Sequence, residues 1–230
     1  MIYIGLDDTD TKESRGTGNL ARQVAAAIAT NHEVFGVTRH QLFVHPDIPF
    51  TSHNSCAVIH VEAPEYEMDN LFNTAKSVML SDFIVGSDPG LAIAAQRQIA
   101  PSLVAFGQDA KTVVVTQERA REVAGNCGVR FEGLGGTNGG VIGAIAGVAL
   151  ASLQSDGRFL LKGRNRDLTG ECSVADILGA GVDEVCTLQG KKLSSGLVTI
   201  PKRATPSFVQ GKAVLFVEER DGYMVALKRA

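Results

Sequence analysis

Three carboxylates stand within four positions near the start of the chain, at Asp7, Asp8 and Asp10, directly after a short apolar run. Like charges this close repel one another and raise each other's pKa unless a cation lies among them. Magnesium is the simplest such cation, since it prefers oxygen ligands and often keeps substrate phosphates in its coordination shell. We therefore predict that these three carboxylates hold Mg²⁺ and take part in catalysis. The alternative is a solvated turn whose Asp side chains cap backbone N–H groups.

Two glycine-rich segments could bind the phosphates of a nucleotide. The first, 15–19, opens a predicted helix, and free N–H groups at a helix N-terminus bind anions. It lacks the lysine and spacing of a Walker motif, so an ordinary turn with Asn19 as N-cap is the alternative. The second, 135–140, can form an anion-binding nest, while Gly143 and Gly147 could pack the next helix closely on a sheet. The residues predicted to bind nucleotide here are Gly16, Thr17, Gly18, Asn19, Gly135, Gly136, Thr137, Asn138, Gly139 and Gly140.

Basic and imidazole side chains are further candidates. Either Arg15 or Arg164 could stabilise the charge that is transferred with a phosphoryl group, and Arg164 could bind phosphate. Lys162, Arg164 and Arg166 alternate and could face phosphates together, although a solvated strand edge explains them equally well. His53 lies in a polar loop, where a binding group would be useful. The remaining basic residues of the C-terminal region are interpreted as surface charge, namely Lys191, Lys192, Lys202 and Arg203.

Composition limits the class of protein. The 230 residues are 44% hydrophobic, which suffices for one substantial domain or one domain with a small appendage. A net charge of −3 gives no general attraction to nucleic acid. We find neither a signal peptide nor an apolar run of the roughly 20 residues that span a bilayer, so we expect a cytoplasmic protein without membrane association. The four cysteines form no Cys-x-x-Cys pair and predict buried thiols rather than zinc or disulfides.

Strand and helix patterns alternate along the chain and predict an α/β (mixed α+β) class, with helices packed on a mixed sheet. The predicted helices cover 20–30, 66–80, 101–109, 117–124 and 141–153. The predicted strands cover 3–6, 33–44, 56–61, 91–94 and 158–162. Composition shifts near Asp167, after which come a short strand at 198–200 and a hairpin of 213–217 with 223–227. We therefore predict a nucleotide-binding domain at 1–168 and a small β-rich appendage at 169–230.

An ordered set of segments resembles the kinase-like catalytic domain of the archaeal tRNA(Ile2) agmatinylcytidine synthetases, over about residues 1–165. The matching segments are 5–10, 15–16, 45–49, 57–58, 140–146 and Asp88-Pro89-Gly90, which stands for an Asn-Pro-Gly turn. These enzymes use ATP and magnesium to phosphorylate a cytidine carbonyl, and agmatine then displaces the phosphate. The resemblance implies an ATP- and Mg²⁺-dependent phosphoryl-transfer enzyme, kinase- or ligase-like, with its nucleotide between the acidic cluster and the two glycine segments.

The chain departs from that family in ways that change the expectation. Asn19 stands where the family has a threonine that takes phosphate, so self-phosphorylation is not expected. Thr51 and His53 replace Lys and Arg in the family's loop, which lowers the positive charge offered to a polyanionic partner. The family's ferredoxin-like domain, OB-fold and zinc ribbon have no counterpart in the sequence. We therefore expect a stand-alone relative with an unknown acceptor and without direct tRNA binding.

Two other functions fit the same residues. The protein could bind a nucleotide or small anion without turning it over, as a sensor or partner subunit. It could also be the catalytic subunit of an RNA-modifying complex whose RNA-binding part belongs to another protein. The sequence leaves the oligomeric state open, and a homodimer is compatible with it.

Overall fold

The computed structural model describes residues 1–11, 13, 15–48 and 53–228. The chain divides into two compact units, Met1–Leu153 and Gln154–Ala230. The sequence placed a boundary after residue 168, whereas Arg158 pairs with Ser207 and the segment 154–168 lies in the second unit. The assignment of separate functions to the two parts stays a prediction. Within the described ranges, every helix is too short or too polar to cross a membrane.

Five strands form an antiparallel sheet in the first unit. They are β1 (Ile2–Asp7), β2 (Glu33–Gln41), β3 (Ser55–Glu62), β4 (Gly90–Ala95) and β5 (Arg130–Gly133). Their order across the sheet is β5-β4-β1-β3-β2, and each neighbouring pair is antiparallel. The side chains of β1 are buried from Ile2 to Leu6, which explains why this strand is a nearly continuous apolar run. The polar residues that follow β1 therefore begin at the edge of the core.

Five helices cover this sheet, and one of them touches it at several strands. They are α1 (Thr17–Ile28), α2 (Met68–Ser81), α3 (Pro101–Asp109), α4 (Gln117–Asn126) and α5 (Val141–Ser152). Helix α5 packs on β1, β3 and β4 and is almost wholly buried. A Cβ added at Gly147 would lie 2.9 Å from the Cys56 Sγ, and one at Gly5 would lie 2.2 Å from the Ala144 carbonyl oxygen. The predicted packing role of Gly147 is confirmed, because any larger residue would push the helix away from the sheet.

The second unit is β-rich and contains one short helix. Its strands are β6 (Arg158–Leu161), β7 (Gly170–Ser173), β8 (Glu184–Thr187), β9 (Leu197–Ile200), β10 (Ser207–Val209), β11 (Lys212–Arg220) and β12 (Tyr223–Ala226), and its helix is α6 (Val174–Gly179). The strand order is β6-β10-β11-β12-β9-β7, and β8 pairs in parallel with β11. The predicted hairpin around Asp221 and Gly222 is confirmed, and both residues have the positive φ that favours a tight two-residue turn. The mixed α+β class is confirmed.

Helix α1 begins earlier than the sequence suggested. The prediction started it at Leu20 with Asn19 as the alternative N-cap, but Thr17 is already helical and Gly16 is the cap residue. Gly16 has a φ of 82°, a conformation that glycine adopts without strain. The backbone N–H of Asn19 donates to the Gly16 carbonyl at 2.8 Å, so Asn19 belongs to the first turn. The side chain of Thr17 is consequently fixed at the start of the helix.

Candidate functional site

A cavity of about 250 Å³ opens in the first unit where β1 ends. One wall is acidic and contains Asp7, Asp8, Asp10, Asp47 and Asp88. The apolar part of the wall contains Leu42, Ile48, Ala110, Val113, Val114, Val115 and Ile142. Uncharged polar side chains, an imidazole and glycines complete it, namely Thr17, His53, Asn54, Ser55, Gln117, Thr137, Gly139, Gly140 and Gly143. The lining, so far as the chain is described, contains no Lys or Arg, so the space suits a ligand that brings positive charge with it.

Asp7 is the last residue of β1 and is partly buried, with its carboxyl group against the first turn of α5. A Cβ added at Gly143 would lie 1.7 Å from the Asp7 Oδ2, so only glycine at that position leaves room for the carboxyl group. Burial raises the pKa of Asp7 to about 7, and the negative charges of Asp8 and Asp10 act in the same direction. The backbone N–H of Asp8 donates to the carboxyl group and opposes the rise. Ionisation of Asp7 therefore costs free energy in the folded protein.

Asp8 follows in a left-handed backbone conformation, with a φ of 50°. Asp tolerates this conformation better than most residues, but it still costs free energy, and such costs concentrate at functional sites. Burial raises the pKa of Asp8 to about 6, and the charges of Asp88 and Asp10 add to the effect. The Asp8 carbonyl oxygen accepts a hydrogen bond from the Asp88 N–H at 3.0 Å. Two acidic segments far apart in sequence are thus joined at this point.

Asp10 is held by the first residue of α1. The Thr17 hydroxyl donates to the Asp10 Oδ1 at 2.8 Å, and the Thr9 hydroxyl donates to the Thr17 Oγ1 at 3.1 Å. Thr17 lines the cavity, whereas Gly16, Gly18 and Asn19 do not. The Asn19 Oδ1 accepts a hydrogen bond from the Gln23 Nε2 at 2.9 Å on the exposed surface of the helix. The turn before α1 thus positions one side chain at the cavity.

Asp88 connects the acidic cluster to the second glycine segment, and the sequence analysis did not select it. Its carbonyl oxygen accepts from the Gly140 N–H at 3.1 Å, and its Oδ2 accepts from the Thr137 hydroxyl. A Cβ at Gly140 would lie 2.3 Å from that carbonyl oxygen, so the close approach requires glycine. The Asp88 Oδ1 is buried and has no hydrogen-bond partner among the described residues. An unpaired buried carboxylate oxygen is costly unless a ligand satisfies it.

The rest of the second glycine segment lies outside the cavity wall. Thr137, Gly139 and Gly140 line the cavity, but Gly135, Gly136 and Asn138 do not. A Cβ at Gly135 would lie 2.7 Å from the Phe83 ring, and one at Gly133 would lie 2.2 Å from the Asn138 Oδ1. These residues pack the loop against its neighbours. The segment therefore has a cavity-lining part, as predicted, and a part that only supports the loop.

The predicted cations do not lie on the wall of this cavity. Arg15 is exposed and is not part of the lining. Arg164 belongs to the second unit, where it lines a separate cavity with Asp167 and Asp176. His53 does line the first cavity, while Thr51 lies outside the described residues.

Arg39 is a cation near the acidic cluster that sequence reasoning missed. It lies on β2, and its Nε donates to the Ser55 Oγ at 2.8 Å. Burial lowers the pKa of Arg39, while the charges of Cys56, as a thiolate, and of Asp10 raise it. Ser55 lines the cavity, so Arg39 supports the wall through this hydroxyl group. No local motif marks this arginine, because strand pairing brings it to the site.

The donor set fits a hard divalent cation, although the coordination geometry is not formed. Among the described residues, no group of three or more His, Cys, Asp or Glu side chains is arranged to hold a metal ion. The aspartates of the cavity wall nevertheless offer oxygen ligands, which Mg²⁺ prefers. The raised pKa values of Asp7 and Asp8 and the unpaired Asp88 Oδ1 would all be relieved by a nearby cation. The predicted metal ligation by Asp7, Asp8 and Asp10 stays a prediction.

Comparison with known sequences finds a distant relative. No family model matches the chain. An uncharacterized protein of Methanocaldococcus jannaschii is 26% identical over 158 residues, which cover 67% of this chain and 51% of the relative. The chain therefore spans about half the length of this curated relative.

Comparison with solved structures finds a shared fold. The complex of TiaS with tRNA(Ile2) and ATP matches with a TM-score of 0.57 and 23% identity, covering 64% of this chain and 36% of that chain. Apo TiaS, described as tRNAIle2 agmatidine synthetase, matches with a TM-score of 0.55 and 22% identity, over 64% and 35% of the two chains. A tRNA fluorescent labeling enzyme matches with a TM-score of 0.57 and 23% identity over the same shares. The resemblance to the tRNA(Ile2) agmatidine synthetases that the sequence motifs predicted is confirmed at the level of the fold.

Proposed function

We propose that the first unit binds ATP with magnesium in its acidic cavity and transfers a phosphoryl group as part of an RNA-modification reaction. The observation that carries this proposal is the convergence of Asp7, Asp8, Asp10 and Asp88 on one cavity that offers no Lys or Arg within the described lining. The fold shared with TiaS, which was solved in complex with tRNA(Ile2) and ATP, supports the class of reaction. The acceptor is not specified by these features.

The charge of the cavity determines how a polyphosphate could enter. Triphosphate oxygens would be repelled by four ionised carboxylates unless divalent cations lay between the two sets of charges. Magnesium supplies this charge neutralisation when bound, and in phosphoryl transfer it also stabilises the charge that develops on the transferred group. Asp7, Asp8 and Asp10 would hold it, and Asp88 would offer its unpaired Oδ1 from the opposite loop.

The remaining parts of the wall would position the rest of the nucleotide. Gly139 and Gly140 line the cavity at the start of α5, where the positive end of the helix dipole favours phosphate oxygens, although the Gly140 N–H itself is bonded to the Asp88 carbonyl oxygen. The apolar wall formed by Leu42 and 113–115 is suited to a flat heterocyclic base. Phosphoryl transfer needs little covalent help from the protein, and alignment with charge stabilisation supplies most of the rate. Thr17 contributes to alignment, because its hydroxyl fixes the Asp10 carboxylate.

A second candidate is nucleotide binding without turnover. Asn19 replaces the threonine at which the resembling family takes phosphate, and its side chain is hydrogen-bonded to Gln23. Arg39 supports the wall through Ser55, so a cation that reaches the transferred phosphate is not evident within the described part of the cavity. ADP release or transfer of labelled phosphate would separate the enzyme from the binding protein.

Isothermal titration calorimetry at pH 7.5 tests the proposed binding directly. ATP with magnesium should give heat with the wild type, and ATP in EDTA should give none. Asp8→Asn should abolish the signal, while the matched change Asp82→Asn, at an exposed residue at the end of α2, should leave it intact. Equal binding with and without magnesium, or wild-type binding by Asp8→Asn, would remove the basis of the proposal.

A further inference from the structure

A buried asparagine links two loops of the second unit through hydrogen bonds. The side chain of Asn165 is 1% exposed, and its Nδ2 donates to the Ala204 carbonyl oxygen at 3.0 Å. Its Oδ1 accepts from the Lys162 backbone N–H at 3.0 Å. The Ala204 N–H in turn donates to the Leu168 carbonyl oxygen at 3.4 Å. The residues that flank Asn165 and Ala204 are therefore presented together on one surface.

Three basic side chains flank this connection, and we call Arg166, Lys202 and Arg203 the basic loop surface. Lys202 and Arg203 are exposed, and Arg166 is partly exposed. The structure records no ion pair for any of the three with a described residue, although Arg166 Nη1 donates to the Leu160 carbonyl oxygen at 3.4 Å. Burial lowers the pKa of Arg166, and the positive charge of Arg203 lowers it further. The two guanidinium groups thus repel each other.

Several other basic residues in the second unit lie beside acidic groups. Lys192 and Lys212 both pair with Glu184, at 3.0 and 2.5 Å. Arg164 lines a cavity beside Asp167 and Asp176, so acidic groups face it. The basic loop surface differs because its charges are adjacent and have no acidic partner in the described part of the chain. In a protein with a net charge of −3, such a cluster is a specific local feature rather than part of a general excess of positive charge.

We propose that the basic loop surface binds the phosphate backbone of the RNA that the proposed reaction would modify. The inference rests on the proposed function for the class of partner. Each arginine guanidinium group can donate two parallel hydrogen bonds to phosphate oxygens. Lys202 adds a third cation on the same loop as Arg203. The surface is an open pair of loops rather than an enclosed cavity, which suits an extended polyanion. The sequence offered Arg166 as a possible phosphate contact but interpreted Lys202 and Arg203 as surface charge, and it predicted no direct tRNA binding.

Fluorescence anisotropy with labelled unmodified tRNA between 50 and 200 mM KCl tests the proposal. Each phosphate contact contributes about one unit to the slope of log K against log salt, so the triple variant R166Q/K202Q/R203Q should lose about three units. Its affinity at about 100 mM salt should fall at least roughly tenfold. The single variant R203Q should lose about one unit. K191Q removes the same charge from the exposed turn after β8 and should leave the slope unchanged.

The outcomes distinguish this proposal from the proposed function. Equal slopes for the triple variant and wild type, or an equal loss in K191Q, would overturn the RNA assignment. Competition by polyglutamate as effective as competition by RNA would also overturn it, in favour of an acidic protein partner. RNA binding that persists in Asp8→Asn and depends on the basic loop surface supports the assignment even if Mg-ATP gives no heat. Thermal unfolding followed by circular dichroism verifies that each variant is folded.

Discussion

Replacing Asp7 with Asn should stabilise the protein at high pH. A carboxyl group whose pKa is about 7 in the folded protein and 3.8 as a model value binds its proton more tightly when folded. Stability from this group is therefore greatest below about pH 4 and is lost as the pH rises to about 7, where the buried group ionises. The difference corresponds to about 4 kcal/mol once ionisation is complete. An asparagine avoids this cost, and its Oδ1 can still accept the Asp8 N–H.

Urea unfolding of wild type and Asp7→Asn at pH 8 and pH 5 measures the effect. We expect the variant to be more stable by about 2–4 kcal/mol at pH 8 and by less than about 2 kcal/mol at pH 5. Asp82→Asn, at an exposed position, should show no comparable gain. A gain that is the same at both pH values, or a loss at pH 8, would refute the idea that burial of the Asp7 charge destabilises the fold. The same variant should bind Mg-ATP poorly, because the charge it lacks is the one that attracts the cation.

Two further substitutions test the packing behind the site. Gly143→Ala should lower the free energy of unfolding by about 3 kcal/mol, because its Cβ would lie 1.7 Å from the Asp7 carboxylate. In the control Gly125→Ala the added Cβ meets nothing within 4 Å, so stability should not fall. Equal losses of stability in thermal unfolding would contradict the steric clash at Gly143. In the core, the Thr38 Oγ1 lies 2.7 Å from His40 Nε2 and 2.8 Å from His60 Nε2. Thr38→Val removes this hydroxyl group from both rings and should lower the free energy of unfolding in urea by about 2–4 kcal/mol. Thr38→Ser keeps the hydroxyl group and should largely retain stability, and a valine variant no less stable than the serine variant would contradict the role of the hydroxyl group.

The sequence predicted those helices and strands that are marked by proline, by glycine and alanine content or by a continuous apolar run. Helix α3 begins at Pro101 as expected, since proline is favoured in the first turn. The Gly- and Ala-rich stretch after 140 is the buried helix α5, and the apolar run before Asp7 is the central strand β1. The short elements β5, β7, α6, β8 and β10 were not predicted. They have few residues each, and tertiary pairing rather than periodicity defines them.

The site could be predicted only where its residues are close in sequence. Asp7, Asp8 and Asp10 were selected because they are neighbours, and all three line the cavity. Asp88 reaches Asp8 because β1 and β4 pair in the register that sets Asp7 opposite Gly90. Arg39 reaches Ser55 through the pairing of β2 with β3. Antiparallel register depends on the whole sheet, and a shift of one residue would turn these side chains to the opposite face.

The costs at the end of β1 favour a cation over a permanently empty acidic turn. Asp7 is partly buried with a raised pKa, Asp8 adopts a left-handed backbone conformation, and the Asp88 Oδ1 lacks a hydrogen-bond partner among the described residues. A solvated turn could contain a left-handed Asp, but it would show neither the raised pKa nor the unpaired buried oxygen, since exposed Asp side chains cap N–H groups at little cost. A cation among the oxygens would reduce the repulsion between the carboxylates and would provide a partner for the Asp88 Oδ1. Because the described wall offers no Lys or Arg, a polyphosphate can approach only together with that cation or after it, and so nucleotide affinity should rise with magnesium concentration rather than with added basic residues.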